Sequence, residues 1–328
     1  MHFLILGCGS IGKRHIKNLL SINPSFMIDC YDPNPKMMNK INKNKNIQKL
    51  SSLPTTTLQY DCVLICTPPS SHVKLAKFVA RFHTPTFLEK PLASNSSGIK
   101  SLEKIVKKNK ILFFVGYNFR FNDGILKVKE LVDKKTLGNV IHAFAYYGQY
   151  LPDWRPQQNY KKNYSFIKKL GGNIIFDSSH EIDYVSWIFG KPKYITSSAI
   201  KSNFLKTNVN ALCDSIFSYS KNYQVSLHLD MIRRKYRRSL EILCEHGIIE
   251  WNLKEKKIKI IDARKSKPRI ISITEDINQM YIKELKHVIR CIKKQKKSNL
   301  IDLSNGIQTF EICNAIERSN KKLKKIKV

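Results

Sequence analysis

No stretch of this 328-residue chain approaches the roughly 18–20 consecutive apolar residues of a spanning helix, so a transmembrane protein is not expected. A secretory leader is not expected either. Met1-His2-Phe3-Leu4-Ile5-Leu6 has no basic segment ahead of it and is broken at once by Gly7 and Gly9, which points to a cytoplasmic protein. Acidic residues are scarce: 25 Asp+Glu against 58 Lys+Arg leave a formal charge of +33. Such a field attracts anionic ligands and speeds their association. It does not by itself make a nucleic-acid binder, because the excess is mostly Lys, scattered over the chain (Lys40, Lys43, Lys45, Lys134, Lys135, Lys256, Lys257), without interleaved aromatics. The eight cysteines form no Cys-x-x-Cys pair and no Cys/His cluster at zinc spacing, so they read as buried, reduced thiols and no metal is expected. Internal repeats and low-complexity linkers are absent too.

Apolar residues make up 42% of the chain, enough to build real cores, and the length suits two domains of ordinary size. From Met1 to about Val115 short apolar runs alternate with helical periodicity: His2–Gly7 then Ile11–Leu20, Met27–Tyr31, Cys62–Cys66 then Ser71–Ala80, Thr86–Leu88 then Ser97–Lys108, and Ile111–Val115. Strands separated by amphipathic helices imply a parallel sheet covered on both faces. From about Asn139 the pattern changes to apolar-polar alternation in consecutive runs, which suggests an antiparallel sheet, interrupted by two helices at about 173–189 and 276–294. The expected fold is α/β: an N-terminal parallel-sheet domain over 1–120, then an α+β domain with an open, mostly antiparallel sheet over 121–328, whose last helices pack back on the first domain.

Gly7-Cys8-Gly9-Ser10-Ile11-Gly12 is a G-x-G-x-x-G that follows an apolar strand, opens a helix, and precedes Asp32 at the end of the next strand. Gly7 makes the tight turn, Gly9 lets backbone approach a pyrophosphate, and Gly12 allows close helix–strand packing, while the N–H groups of Ser10 and Ile11 open the helix toward the anion. Asp32 is placed to accept from ribose hydroxyls and to repel a 2′-phosphate, which favours NAD; Lys36 nearby leaves NADP open. The Thr67-Pro68 loop, with His72 at the start of the following helix, borders the ligand crevice at a strand's carboxyl end. Asn118 and Arg120 lie at the domain junction, where a nicotinamide or substrate contact is expected.

With Glu89-Lys90-Pro91, Gly116-Tyr117-Asn118-Phe119-Arg120-Phe121 and His180-Glu181-Ile182-Asp183 added to these motifs, the chain resembles the Gfo/Idh/MocA family, the glucose–fructose oxidoreductase and inositol dehydrogenase group. The motifs run from the start to about residue 190. Gln149 to Pro156, with Tyr160, Tyr164, Gly171-Gly172 and Asp177 to Glu181, looks more narrowly like members associated with bacterial surface-sugar biosynthesis. The resemblance implies a Rossmann domain, an active site between the domains, Glu89 and Lys90 among the cofactor contacts, and Lys90 and His180 as catalytic residues. Hydride transfer from a carbinol needs a base for the hydroxyl proton, and the reverse needs an acid. A lysine amine desolvated beside a cationic ring loses basicity and serves in both directions, and histidine is a natural partner.

Three departures from the family pattern stand out. Asp177 lies three residues before His180, where relatives place an Asp four before; a helix still brings both to one face, so Asp177, or Asp183 on the other side, orients the histidine or the substrate. Asn173 replaces an expected Gly, and Asn159 an expected acid. Trp154, Arg155, Tyr160, Lys161 and Tyr164 combine aromatic faces with cations, which suits a sugar carrying a carboxylate or phosphate. Arg233, Arg234, Arg237 and Arg238 either complete that anion site or form a solvated hairpin. The expected protein is thus an NAD(P)-dependent oxidoreductase of a sugar alcohol or ketone, acting as a homodimer or homotetramer. The alternatives are a redox-dead NAD-binding sensor or scaffold, and an enzyme that uses bound NAD transiently for elimination or glycoside cleavage.

Overall fold

The computed structural model describes residues 1–328 apart from Arg155, Gln158 and Lys221. In chain order the first elements are β1 (His2–Leu6), α1 (Ser10–Ile22), β2 (Met27–Tyr31), α2 (Pro35–Asn39), β3 (Ile47–Lys49), β4 (Cys62–Ile65), α3 (His72–Ala80), β5 (Thr86–Glu89), α4 (Ile99–Lys108) and β6 (Phe113–Gly116). There follow α5 (Asp123–Asp133), β7 (Val140–Gly148), α6 (Ile174–Asp177), α7 (Ser179–Phe189), β8 (Tyr194–Lys201), β9 (Asn210–Ser218), β10 (Gln224–Asp230) and β11 (Arg237–Cys244). The chain ends with β12 (Gly247–Asn252), β13 (Lys257–Asp262), β14 (Arg269–Ser272), α8 (Ile277–Lys293), α9 (Leu303–Lys322) and β15 (Ile326–Lys327).

Two compact units result, one of Met1–Asn118 with Ile277–Ile307, the other of Phe119–Asp276 with Gln308–Val328. The first holds a six-stranded, all-parallel sheet in the order β3-β2-β1-β4-β5-β6. The near-continuous apolar runs of β4 and β6 are buried at every position, as expected for strands covered on both faces. The strand order reverses between β1 and β4, and such a switch point leaves a crevice outside the strands' carboxyl ends. Helix α8 packs on α1, with Asn18 and Asn278 exchanging side-chain hydrogen bonds of 3.3 and 2.9 Å.

The second unit is built on a nine-stranded sheet in the order β14-β13-β12-β11-β7-β10-β9-β8-β15, antiparallel except where β10 runs parallel to β7. Alternation sorts β7: Ala143, Ala145 and Tyr147 are buried on one face, while Phe144 is exposed on the other. Two expectations need correction here. The helix expected over 173–189 is interrupted at Ser178, and the region holds a further long helix, α9. Residues 321–325 at the end of the chain are exposed, but Ile326 beyond them is buried and pairs with Ile195 of β8.

Candidate functional site

The glycine turn between β1 and α1 forms because only glycine tolerates its geometry. Gly7 has φ +97°, and a β-carbon there would lie 2.7 Å from the Cys66 carbonyl. A β-carbon on Gly12 would lie 2.0 Å from the Gly7 oxygen. Gly9 differs: its φ is −66°, and nothing comes within 4 Å of its would-be β-carbon, so folding does not require glycine there. The requirement comes from whatever approaches from outside. Gly9→Ala is therefore expected to keep the melting temperature of the parent while weakening NADH binding. Gly12→Ala is expected to lower the melting temperature as well; thermal unfolding and NADH fluorescence titration on both variants check this.

Helix α1 begins without a side-chain cap and without an acidic residue in its first turn, so its N–H groups and dipole suit an anion. Asp32, half-buried after β2, accepts from the Cys8 N–H at 2.8 Å through Oδ2 and from the Asn34 N–H at 2.8 Å through Oδ1. It thus fastens the glycine loop, and each carboxylate oxygen keeps a further acceptor position for ribose. Asn118 is 1% exposed and lies beside Tyr281, while its Oδ1 has no hydrogen-bond partner among the described residues. An orphaned buried amide oxygen fits a ligand amide donor. An uncapped helix start, an open Gly9, an acid after β2 and this amide together fit a nicotinamide dinucleotide.

The Thr67 loop follows β4, and Lys90 follows β5, at the same sheet edge as the glycine loop. Two residues expected to touch the cofactor are turned elsewhere. His72 is fully buried, with Nδ1 2.8 Å from the Pro91 oxygen and Nε2 2.8 Å from the Thr67 oxygen. Glu89 is 8% exposed; its Oε1 lies 2.6 Å from His15 Nε2, and its Oε2 accepts from the Lys90 N–H at 3.2 Å. Gly116 makes room for the Phe87 ring, since a β-carbon there would stand 3.0 Å from its Cζ.

In the second unit Asp177 and His180 are 6% and 9% exposed. They do not share a continuous helical face, because Ser178 separates α6 from α7. Asn173 caps α6, accepting from the Ile175 N–H at 3.1 Å and donating to Glu317. Asn159 likewise accepts from Lys161 N–H at 3.0 Å. The two departures from the family pattern are thus local caps. The Phe119 and His180 ring centroids lie 5.2 Å apart, with the planes tilted by 55°. Beneath them Glu181, fully buried, pairs with Arg238 at 2.7 Å, and Arg238 lies 4.4 Å from the Tyr147 ring and 4.5 Å from the Phe119 ring. Burial pushes the Tyr147 and Tyr184 hydroxyls up.

Arg120, expected to bind substrate, is instead 3% exposed and donates from Nε and Nη2 to the two carboxylate oxygens of Asp183, both at 2.8 Å. Thr309 donates to the same carboxylate at 3.0 Å. Asp183 is thereby committed to Arg120. The arginine run divides: Arg238 points inward to Glu181, while Arg237 lies 4.6 Å from the Tyr146 ring on the open face. Arg234 stacks 3.7 Å from Tyr150 beside Phe204, and Arg233 sits 5.2 Å from Tyr146. Trp154 donates to the Gln149 oxygen at 3.0 Å, and half-buried Tyr160 and Tyr164 lie in short 3-10 turns. Arg155 falls outside the described residues. His15 and Glu181 are buried polar residues that sequence reasoning did not assign; spacing on α1 marks His15 as buried, but nothing local reveals its partner.

Residues 1–117 match the model described as "Oxidoreductase family, NAD-binding Rossmann fold", and residues 125–250 match the GFO/IDH/MocA C-terminal domain. The scyllo-inositol 2-dehydrogenase (NAD(+)) of Bacillus subtilis is 24% identical over 326 residues, covering 92% of this chain and 89% of that enzyme. The myo-inositol 2-dehydrogenase of Thermotoga maritima is 25% identical over 194 residues, and there the match spans 58% of this chain and 55% of that enzyme. In fold, levoglucosan dehydrogenase in its NADH complex aligns over all of this chain and 99% of its own, with TM-score 0.89 and 17% identity. Among the described residues no helix is long and apolar enough to cross a membrane. The chain belongs to the Gfo/Idh/MocA family of NAD-binding oxidoreductases.

Proposed function

We propose that this protein is an NAD-dependent dehydrogenase that oxidises a secondary alcohol of a sugar or cyclitol, or reduces the matching ketone. The observation that carries the reading is Lys90 at the carboxyl end of β5, on the sheet edge that also presents the glycine loop and Asp32. Bound nicotinamide supplies the hydride acceptor or donor. The protein supplies the acid–base groups: the Lys90 Nζ takes the hydroxyl proton during oxidation and returns it during reduction, and His180 is the second acid–base residue. Asp177, buried beside this histidine in sequence, orients it or the substrate. Thr67, Pro68 and Asn118 join the glycine loop and Asp32 as cofactor contacts. Trp154, Tyr160 and Tyr164, with Arg155, hold the sugar ring and an anionic substituent, which favours an acidic or nucleotide-linked sugar of the kind used in surface polysaccharides. Inositol dehydrogenases and levoglucosan dehydrogenase among the similar proteins support a polyol substrate.

The open sheet face exposes Phe144 and Ile216, and we infer that a second copy covers it in a homodimer or homotetramer, which sedimentation velocity reads directly. A cytoplasmic enzyme matches the reduced state of its cysteines. The cofactor assignment is tested by NADH and NADPH titration of the parent and of Asp32→Ala. Two charge-assisted hydrogen bonds are removed from the loop and ribose, so NADH affinity is expected to fall roughly 10²-fold. Equal affinity in parent and variant would contradict it.

A further inference from the structure

Lys90 sits between two residues that are each held by a buried histidine. On one side the Glu89 carboxylate meets His15 Nε2 at 2.6 Å and reaches the Lys90 N–H at 3.2 Å. On the other side the Pro91 oxygen meets His72 Nδ1 at 2.8 Å. Both histidines are 0% exposed. His15 is walled in by Phe87 at 5.3 Å and Tyr281 at 6.2 Å between ring centroids. Its Nδ1 has no hydrogen-bond partner among the described residues, so the neutral tautomer that fits carries its proton on Nε2 and donates it to Glu89. His15 lies three residues after Gly12 on α1, so the bond ties the glycine-loop helix to the end of β5. The second His72 nitrogen, Nε2, faces the Thr67 oxygen after β4 at 2.8 Å, so the neutral ring bonds either Pro91 or Thr67 according to its tautomer. Burial lowers the basicity of this ring, and a neutral imidazole donates to one carbonyl at a time.

We propose that His15 and His72 form a two-sided clamp on the Glu89–Pro91 segment and are positioning residues for the Lys90 amine. The clamp rests on the role given above to Lys90, but it makes a statement about placement that can be read separately. Neither histidine touches reacting atoms; each fixes backbone or carboxylate next to the residue that does. Displacing a reacting group by about 1 Å costs a rate factor of roughly 10². A glutamine amide stands near the place of a histidine Nε2, and an asparagine amide near that of Nδ1. His15→Gln therefore keeps the bond to Glu89, His72→Asn keeps the bond to Pro91, and His72→Gln keeps only the bond to Thr67.

The test uses the full chain with lysines reductively methylated with 13C, the Lys90 resonance being the one missing from Lys90→Arg. In His15→Ala and His72→Gln that resonance is expected to move and broaden, with the other lysine resonances in place and NADH affinity held. In His15→Gln and His72→Asn it is expected to return toward the parent position. With NAD and myo-inositol as the probe, kcat in the first pair falls roughly 10²-fold while KM for NAD holds, and recovers in the second pair. Should His15→Ala fail to fold, Glu89→Gln, which keeps the acceptor but removes its charge, takes its place. An unmoved Lys90 resonance in His15→Ala and His72→Gln overturns the clamp. So does a shift of equal size in all four variants, which would mark the histidines as general core residues. Full turnover by Lys90→Arg would overturn the catalytic reading of Lys90 and leave the clamp to the resonance alone.

Discussion

Replacing Lys90 by Met is expected to lower kcat by roughly 10³-fold, because general acid–base transfer by a positioned side chain contributes about 10²- to 10⁴-fold. NADH titration should give an affinity close to the parent's. The glycine loop, the start of α1 and Asp32 are built by β1 and β2, and Asp32 accepts from the Cys8 and Asn34 N–H groups. A steady-state assay and a fluorescence titration on the same sample separate the two effects. A drop in affinity equal to the drop in kcat would recast Lys90 as a cofactor anchor. His180→Asn should also lower turnover, by a smaller factor, since solvent can replace the second carrier of a proton more easily than the group at the hydroxyl.

Replacing Arg120 by Met is the stability counterpart. The substitution leaves the Asp183 carboxylate fully buried, with Thr309 the remaining side-chain donor to it among the described residues. Burial pushes that carboxyl up, and the guanidinium pulls it back by charge and hydrogen bonding. Removing one partner of such a pair costs roughly 3–5 kcal/mol, whereas replacing both by apolar groups can be nearly neutral. Urea denaturation should therefore show a large loss for Arg120→Met and substantial recovery for Arg120→Met with Asp183→Leu. A loss below about 1 kcal/mol, the range of exposed ion pairs, would contradict a buried structural role for Arg120.

The parallel-sheet unit was legible because two periods alternate there. Apolar runs of β4 and β6 and the helical spacing of Gly12, Ile16 and Leu19 on α1 say different things locally, and the glycines mark the turn. Helix α9 was hidden by its polar composition and by Gly306, whose absent side chain lets it pack onto Val115, where a β-carbon would come within 2.6 Å. The three-residue edge strand β3 is too short to show a period. The arginine run left two readings open for a geometric reason: in β11 neighbours alternate faces, so Arg237 and Arg238, adjacent in sequence, belong to opposite sides of the sheet. Arg120 misled because a guanidinium beside a domain boundary looks the same in sequence whether it awaits a ligand or pairs with an aspartate 63 residues away. His15 shows the same limit, since its carboxylate partner is 74 residues distant.

The central claim is hydride exchange between NAD and a polyol, and the most direct measurement follows NADH formation by the purified protein with NAD and a panel of cyclitols, hexoses, uronic acids and nucleotide sugars. The account predicts that at least one of them yields NADH and the corresponding ketone in equal amounts, and that Lys90→Met loses this activity. Conversion of a sugar with no net NADH, from protein holding its cofactor tightly, would contradict a dehydrogenase and point to transient use of bound NAD. Tight NADH binding with no conversion of any member of the panel would point to a redox-silent sensor.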